Sequence, residues 1–243
     1  MDRDHQRREA AEALVVTIDG PAAAGKSTVA SEVASRIDAL YFDTGVVYRA
    51  LALAALERGI APGDGARLAE LATDLDLRVT PPTQPGRLYD VWLDGRDVTQ
   101  ALRQPAVDHI VSEVSAHPSV RQALLALQRQ IGRSGPRVVM VGRDIGTVVM
   151  PHAQVKIWLE ASLEERARRR WLELERQGGS RQLAEVRAEM ERRDRADGAR
   201  PVAPMRPAPN AVVIDTDGKT IEEVAGEIVA LARARLPADG GAS

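Results

Sequence analysis

The sequence predicts an α/β fold with a parallel sheet at its centre, because short apolar segments alternate with helical patterns along most of its 243 residues. Helical periodicity follows the first two segments, over 27–37 and 45–59. Capping-box spacings, Ser162/Glu165 and Thr220/Glu223, predict helix starts after the last two segments. The apolar, β-branched segments expected to form the strands are 14–19, 39–43, 137–142, 155–160 and 211–215.

Two regions depart from this alternation. Residues 77–99 contain two proline-rich turns and the hairpin signal Asp94-Gly95, which predicts a small antiparallel insert over about residues 75–103. A helical pair split at His117-Pro118 follows, and Ser119 and Gln122 have the spacing of a cap on its second helix. The arginine-rich stretch 162–200 is mostly helical and is interrupted at Gly178-Gly179, where the sequence predicts a hinge.

The composition excludes several function classes. The net charge of −2 argues against a general nucleic-acid or membrane binder, the chain has no cysteine, and its four histidines show no metal-ligand spacing. No apolar run reaches about 18 residues, and the polar start is not typical of a secretory signal. We expect a cytoplasmic monomer with one domain over 13–236, disordered ends at 1–12 and 237–243, and no nucleic-acid or membrane partner.

A phosphate-binding loop follows the first predicted strand. Gly20, Gly25, Lys26 and Ser27 fit the pattern G-x4-G-K-S, and the segment opens a helix directly after a strand, as that pattern requires. Backbone N–H groups of such a loop wrap phosphates, its lysine reaches the β- and γ-phosphates, and its serine hydroxyl can bind Mg²⁺. The alanines at 22–24 are small enough to let phosphate approach. The predicted nucleotide-binding residues are Gly20, Pro21, Ala22, Ala23, Ala24, Gly25, Lys26, Ser27 and Thr28.

Two further polar clusters follow predicted strands. Asp43 and Thr44 come at the end of the second strand, with Arg49 inside the next helix, and the pair Arg143-Asp144 directly follows the strand at 137–142. Open α/β sheets bind ligands at the carboxyl ends of their strands, where a carboxylate can accept from a base and an arginine can bind phosphate. The alternatives are that Thr44 is only a helix cap, Arg49 a solvated charge and the pair an ion pair within a loop.

Two arginine-rich patterns lie in the predicted helical region. Arg193, Asp197 and Arg200 are spaced i, i+4 and i+7 and would share one helix face, while Arg166 and Arg170 belong to the strongest local basic cluster. Such cations could neutralise a phosphoryl group during its transfer. The alternatives are an intrahelical ladder of ion pairs for the first pattern and a solvated helix face for the second.

Together these segments resemble the bacterial cytidylate kinases, a family of nucleoside monophosphate kinases with a phosphate loop. The resemblance implies a parallel sheet of the phosphate-loop NTPase type, flanked by helices, with a small monophosphate-binding insert and a helical lid over about residues 162–182. It also implies transfer of a phosphoryl group from ATP, with Mg²⁺ bound at Ser27 through the nucleotide, to CMP or dCMP. The matching segments occur in the family's order between about residues 14 and 235: IDGPAAAGKST, DTGVVYR, LDGRDV, SEVSAHPSVRQALLALQR, GRDIGTVVMP, KIWLEASLEERARRR and RDRADGARPVAP.

The resemblance also implies a role for individual residues. Residues 20–28 would bind ATP, Arg193 and Asp197 would contact the ribose, and Gly198 stands where the family has serine or threonine, so the preference between ribose and deoxyribose stays open. The implied catalytic residues are Lys26, Arg49, Arg143, Arg166, Arg170 and Arg200. The implied CMP-binding residues are Asp43, Thr44, Arg49, Ser112, Arg121, Arg143, Asp144, Arg193, Asp197 and Arg200.

Hydrogen-bond chemistry agrees with a cytosine pocket lined by Thr44, Ser112, Arg121 and Asp144. The exocyclic amine of cytosine needs an acceptor, which Asp144 supplies, and its carbonyl and ring nitrogen need donors, which Ser112 and Arg121 can supply. Uracil has a carbonyl in place of the amine, so an acceptor of the base would face the carboxylate of Asp144, which is also an acceptor. CMP and dCMP are therefore expected to be preferred over UMP.

Three alternative functions fit the sequence less well. A different small-molecule kinase, for shikimate, gluconate or AMP, would not need the insert or the set Ser112, Arg121 and Asp144. A GTPase switch would need a guanine-reading Asn-Lys-x-Asp segment, which the sequence does not contain. A non-catalytic nucleotide-binding scaffold would not need an intact Lys26, Ser27 and the full set of arginines.

Overall fold

The computed structural model describes residues 13–176 and 178–236. The ends expected to be disordered, 1–12 and 237–243, lie outside the described residues. The chain divides into two compact units, one formed by the residues up to Ala39 together with those from Gly135 onward, the other by Leu40–Ser134. Among the described residues, no helix combines the length and apolar character needed to cross a membrane.

The strands and helices follow the predicted alternation. In chain order the strands are β1 (Leu14–Asp19), β2 (Leu40–Asp43), β3 (Leu77–Thr80), β4 (Asp90–Leu93), β5 (Arg96–Asp97), β6 (Arg137–Val141), β7 (Val155–Glu160) and β8 (Val212–Asp215). The helices are α1 (Lys26–Arg36), α2 (Gly45–Glu57), α3 (Gly65–Thr73), α4 (Pro105–Val114), α5 (Pro118–Ile131), α6 (Leu163–Arg176), α7 (Leu183–Gly198) and α8 (Ile221–Arg233). A 3-10 turn at Ala101–Arg103 and a π-helical turn at Ile145–Val149 complete the described elements.

The predicted parallel sheet is confirmed. Its five strands have the order β2-β6-β1-β7-β8, with β1 paired in parallel to β6 on one side and to β7 on the other. Every residue of β1 is buried, because a central parallel strand is covered on both faces, and its apolar run is accordingly continuous rather than alternating. Since the strands are parallel, the carboxyl ends of β1, β6 and β7 lie at the same edge of the sheet.

Helices cover this sheet in the first unit. α1 packs against β6 and α8, while α6 and α7 pack against each other. The largest fully buried side chains of this unit include Ile18, Met140, Leu159 and Ile228, which place the hydrophobic core between the sheet and its helices.

The second unit contains the predicted antiparallel insert, a three-stranded sheet of order β3-β4-β5. Its hairpin turns at Asp94 and Gly95, both with positive φ, as the sequence predicted. The side chain of Asp90 is fully buried and accepts from the Thr83 N–H and from Arg87 Nη1, each at 2.8 Å. In the same unit α3 packs against α5, and α2 packs against α4.

Two of the three predicted helix caps agree with the structure. Thr220 and Glu223 form a complete capping box at α8, and the Ser162 hydroxyl accepts from the Glu165 N–H at 3.2 Å before α6. The cap predicted at Ser119 is wrong, because α5 begins at Pro118 and the Ser119 hydroxyl instead donates to the Gly65 carbonyl at 3.1 Å. The proline has a fixed φ suited to the first helical position, which moves the helix start ahead of the serine.

Candidate active site

The phosphate loop connects β1 to α1, and its backbone geometry explains both glycines of the pattern. A Cβ at Gly20 would lie 2.1 Å from the carbonyl oxygen of Leu159, so a side chain does not fit there. Gly25 has a φ of 87°, in the left-handed region that other residues rarely adopt. Ala23 is also left-handed, with a φ of 59°, a conformation that costs an L-residue about 1 kcal/mol.

Lys26 begins α1 and lies back over the loop, where its Nζ donates to the Pro21 carbonyl at 2.6 Å. Ser27 and Thr28 are exposed in the first turn of the same helix. Gly25 occupies the N-cap position and has no side chain with which to cap the helix, so the N–H groups of the first turn can face a phosphate. The helix N-terminus, the lysine and the hydroxyls are thus arranged as a phosphate site requires.

The loop alanines make a contact that the sequence did not indicate. Ala22 and Ala23 pack against a buried cluster of α6 and α7, formed by Ala167 of α6 with Val186 and Met190 of α7. We expected these alanines only to leave room for phosphate. The structure shows in addition that their methyl groups connect the phosphate loop to the helices that follow β7.

Asp19, the last residue of β1, is a functional candidate that the sequence analysis missed. It is 4% exposed, and its carboxylate accepts from the N–H of Ile145 at 2.9 Å and from the N–H of Gly146 at 2.7 Å. Burial raises the pKa of Asp19 to about 7; the two hydrogen bonds and Lys26 oppose this rise, and Asp144 adds to it. A carboxylate at the carboxyl end of a strand, directly before a phosphate loop, was the available signal.

Arg143 and Arg200 are brought together by one buried carboxylate. Both guanidinium groups form ion pairs with Asp197, which is 2% exposed. Burial, followed by repulsion from Arg193 and Arg200, lowers the pKa of Arg143 to about 9, a value at which the side chain is still charged at neutral pH. Arginines that repel one another in a partly buried place favour the binding of an anion such as phosphate.

The predicted helix face carrying Arg193, Asp197 and Arg200 is only partly correct. α7 ends at Gly198, so Arg200 lies beyond the helix and reaches Asp197 from the next segment. The helix stops there because Pro201 follows and disfavours a helical conformation at the residue before it. Arg193 lies on α7, where loss of hydration around its guanidinium, followed by repulsion from Arg170 and Arg200, lowers its pKa.

The two predicted lid arginines have different surroundings. Arg166 is buried, forms an ion pair with Asp194 at 2.6 Å and donates to the Ala22 carbonyl at 3.4 Å. Arg170 is exposed and pairs with Glu173 of its own helix at 2.7 Å. Arg166 therefore contacts the phosphate loop, whereas the pairing of Arg170 matches the alternative of a solvated helix face.

In the second unit Arg49 is held by two acceptors. Its Nη1 donates to the Leu102 carbonyl at 3.0 Å and pairs with Asp108 at 2.5 Å, a carboxylate that the sequence analysis did not single out. Asp43 accepts from the Gly45 N–H at 2.9 Å and so shapes the turn from β2 into α2. Thr44 is buried at the N-cap position of α2, but its side chain makes no capping hydrogen bond, so the alternative of a mere helix cap is met in position only.

Ser112 and Arg121 are connected through a residue that lies between their helices. Arg121 is buried, and its guanidinium stacks 5.3 Å from the ring centroid of Tyr48 and donates to the Ser115 carbonyl at 3.4 Å. The hydroxyl of Ser115 donates in turn to the Ser112 carbonyl at 3.1 Å. Ser112 itself is exposed on α4.

The predicted site residues are therefore distributed over both units. Asp43, Thr44, Arg49, Ser112 and Arg121 belong to the unit Leu40–Ser134. The first unit carries the phosphate loop, Arg143, Asp144, Arg166, Arg170, Arg193, Asp197 and Arg200.

The oxygen donors beside the loop suit a magnesium ion that arrives with a nucleotide. Mg²⁺ prefers oxygen ligands and usually keeps several waters while it rests on substrate phosphates and one or two protein groups. The exposed hydroxyl of Ser27 is such a group at the helix N-terminus. Among the described residues there is no cluster of three or more side chains able to hold a metal by themselves.

Comparison with known proteins gives a consistent family. The model of the family described as "Cytidylate kinase" matches residues 16–234. The chain is 51% identical to a cytidylate kinase of Roseiflexus castenholzii over 89% of this chain and 92% of that protein, and 50% identical to one of Symbiobacterium thermophilum over 89% and 94%.

A longer relative matches as well. The chain is 48% identical, over 94% of its length, to a bifunctional pantoate ligase/cytidylate kinase of a Synechococcus strain, and it spans 42% of the length of that protein. With a family model matched across almost all the described residues and identities near one half, the chain belongs to the cytidylate kinase family.

Proposed function

We propose that this chain transfers the γ-phosphoryl group of ATP to CMP or dCMP, giving ADP with CDP or dCDP. The observation that carries the proposal is that the phosphate loop after β1 and the pair Arg143-Asp144 after β6 extend from the same edge of one parallel sheet. A donor site and an acceptor site side by side are what phosphoryl transfer needs, since the reaction depends mainly on positioning and on neutralising charge.

On the donor side, residues 20–28 bind the ATP phosphates. Backbone N–H groups of the loop and the first turn of α1 surround the anion, and Lys26 exchanges its contact with the Pro21 carbonyl for the β- and γ-phosphates. Bound Mg²⁺ would neutralise part of the triphosphate charge, with Ser27 as its protein contact. Arg166, already within 3.4 Å of the Ala22 carbonyl, lies where a cation can face the transferring group.

On the acceptor side, arginines bind the phosphate of CMP, one of whose oxygens attacks the γ-phosphorus as the bond to the ADP oxygen breaks. Arg143 and Arg200 turn from Asp197 toward that phosphate, and Arg49 is a further cation for it once released from Asp108. Arg193 and Asp197 contact the ribose.

Base selection belongs to Asp144 with Thr44, Ser112 and Arg121. Asp144 accepts from the cytosine amine, and Ser112 and Arg121 donate to the other edge of the base. Asp43 shapes the turn that carries Thr44. Arg170 joins the lid cations when α6 and α7 approach the nucleotides. The prediction of a monomer and that of a cytoplasmic location stay predictions.

The proposal is tested by measuring ADP release from ATP and Mg²⁺ with CMP, dCMP, UMP, AMP or GMP as the acceptor. We expect rapid release with CMP and dCMP, and a fall in kcat of about a hundredfold or more in Lys26→Ala, since a cation on the transferring phosphates is removed. Lys219→Ala is the matched control, because Lys219 is exposed and pairs with Glu227 in the same unit. Equal turnover with AMP or GMP, or full activity in Lys26→Ala, would overturn the proposal.

A further inference from the structure

Asp19 stands beside the phosphate loop in sequence, yet its hydrogen bonds go to another strand end. Its two carboxylate oxygens accept from two successive backbone N–H groups, those of Ile145 and Gly146, at 2.9 and 2.7 Å. These residues begin the π-helical turn Ile145–Val149, which directly follows Asp144. One buried carboxylate therefore joins the end of β1 to the turn after β6.

The turn at Gly146 packs closely against β1. A Cβ at Gly146 would lie 2.9 Å from the Thr17 hydroxyl oxygen and 3.4 Å from the Asp19 carboxylate, so only glycine lets the turn approach β1 this closely. The side chains of Thr17 and Asp19 are both buried. Because the carboxylate is fixed by burial, it fixes the position of the turn that it binds.

The turn determines where the preceding residues lie. The carbonyl of Asp144 accepts from the Val148 N–H at 2.9 Å, so Asp144 is part of the hydrogen-bonded turn that the carboxylate holds. Gly142 is bound to β1 through the Ile18 carbonyl at 3.2 Å. Arg143 and Asp144 thus occupy a short bridge anchored to β1 at both ends.

We propose that Asp19 is a positioning residue for the CMP side of the site, acting by clamping the turn Ile145–Val149 and thereby orienting Arg143 and Asp144. The inference rests on the proposed function, which gives those two residues the phosphate and base of CMP. The role of Asp19 would thus differ from that of its neighbours in sequence, because Gly20 and the rest of the loop bind ATP.

The substitution Asp19→Asn tests the clamp with little change of volume. An asparagine keeps one acceptor oxygen, but its NH2 group opposes the second backbone N–H, so one of the two hydrogen bonds is lost. Asp38→Asn is the matched control, because Asp38 is exposed in the same unit and the substitution makes the same change of side chain.

Steady-state kinetics with each substrate varied in turn give the readout. We expect Asp19→Asn to raise the KM for CMP about tenfold while the KM for ATP stays within about twofold, since losing a hydrogen bond to a charged group has an effect of that order. Asp38→Asn should match the wild-type protein. A rise in the KM for ATP equal to that for CMP, or no change in either, would overturn the positioning role.

Amide hydrogen exchange tests the clamp without any enzymatic activity. The N–H groups of Ile145 and Gly146 should exchange faster in Asp19→Asn than in Asp38→Asn, and unchanged protection would overturn the inference. If Asp19→Asn does not fold, Gly146→Ala disturbs the same contact from the other side and should give the same split between the two KM values. A wild-type protein that lacks CMP kinase activity would instead refute the proposed function while the exchange experiment still decides on the clamp.

Discussion

Asp19 is a buried carboxylate whose ionisation is opposed by its surroundings. Burial raises its pKa to about 7, above the unfolded value near 3.8, so the native state binds the proton more tightly than the unfolded state does. Its contribution to stability is therefore greatest below the unfolded pKa and is lost as the pH rises through about 7. We predict that the free energy of unfolding of the wild-type protein, relative to Asp19→Asn, decreases between about pH 5 and pH 8.

Urea denaturation of both proteins at several pH values measures this difference directly. The asparagine does not titrate, so it removes the part of the pH dependence of stability that comes from residue 19. The pH dependence that comes from all other groups is unchanged. A difference that stays constant across this range would show that the pKa of Asp19 is ordinary in the folded protein.

Arg200 offers a second prediction at the scale of single residues. Arg200→Ala should lower kcat/KM for CMP by a factor that corresponds to about 2–5 kcal/mol. The substitution removes one partner of a buried charge and leaves fewer cations to bind the phosphate of CMP. The KM for ATP should change little. Arg195→Ala is the control, since Arg195 pairs with Glu191 on an exposed part of α7. Normal CMP kinetics with weakened ATP binding would show that Arg200 serves the donor site.

Residues that lie within one local motif are the easiest to single out from a sequence. Gly20, Gly25 and Lys26 could be identified because the loop places them within a few residues of one another, and their geometry agrees with that pattern. Ile145, which donates to Asp19, is 126 residues away in sequence, and no local spacing of residues indicates such a contact. Pairing between Arg143 and Asp197 was missed for the same physical reason.

At the scale of elements, the antiparallel insert depends on one arginine. Arg87 pairs with Asp90 at 2.8 Å and with Asp97 at 2.7 Å. The hydrogen bond from Arg87, followed by those from Thr99, lowers the pKa of Asp97 to about 2. We predict that Arg87→Ala lowers the Tm by several degrees, because the buried carboxylate of Asp90 loses its cation. Thermal unfolding followed by circular dichroism measures the effect.

Arg78→Ala is the matched control for the insert. Arg78 lies on β3 of the same sheet, and its pair with Asp76 is 3.8 Å long and exposed, so its removal should leave the Tm nearly unchanged. Equal Tm values for the two variants would mean that the Arg87 network does not support the insert.

Helices α6 and α7 give a prediction about motion. α6 ends at Arg176 and α7 begins at Leu183, and the described residues between them, 178–182, are not helical, with a φ of 83° at Gly178. Adding ATP and CMP together should slow amide hydrogen exchange in α6 and α7, because closure excludes water from the reacting groups. Exchange in α8 is the internal reference. Equal exchange in α6 and α7 with and without both substrates would contradict closure.

Element boundaries were predicted less well than elements. Proline displaced two of them: Pro118 begins α5 ahead of the expected cap at Ser119, and Pro201 ends α7 before Arg200. Both effects act on the backbone rather than on side-chain periodicity, which was the basis of the prediction. The insert was predicted correctly because its turn residues, Asp94 and Gly95, adopt the positive φ that a tight hairpin needs.

At the scale of the whole molecule, the alternation of strands and helices was sufficient to predict the parallel sheet and the edge that carries the loop and the Arg143-Asp144 pair. The molecule that accepts the phosphoryl group was harder to infer, because many phosphate-loop proteins share that sheet. Its identity rests on side chains beyond the loop, Asp144 above all, whose carboxylate can accept from the amine of cytosine and opposes the carbonyl of uracil.

Specificity for the base is therefore the most direct test of the central claim. The measurement is kcat/KM for CMP and for UMP at saturating ATP, in the wild-type protein and in Asp144→Asn, whose amide can donate to uracil. We predict that the wild-type protein favours CMP by about a hundredfold or more and that Asp144→Asn narrows this ratio by at least about tenfold. Equal kcat/KM values for CMP and UMP in the wild-type protein would contradict it.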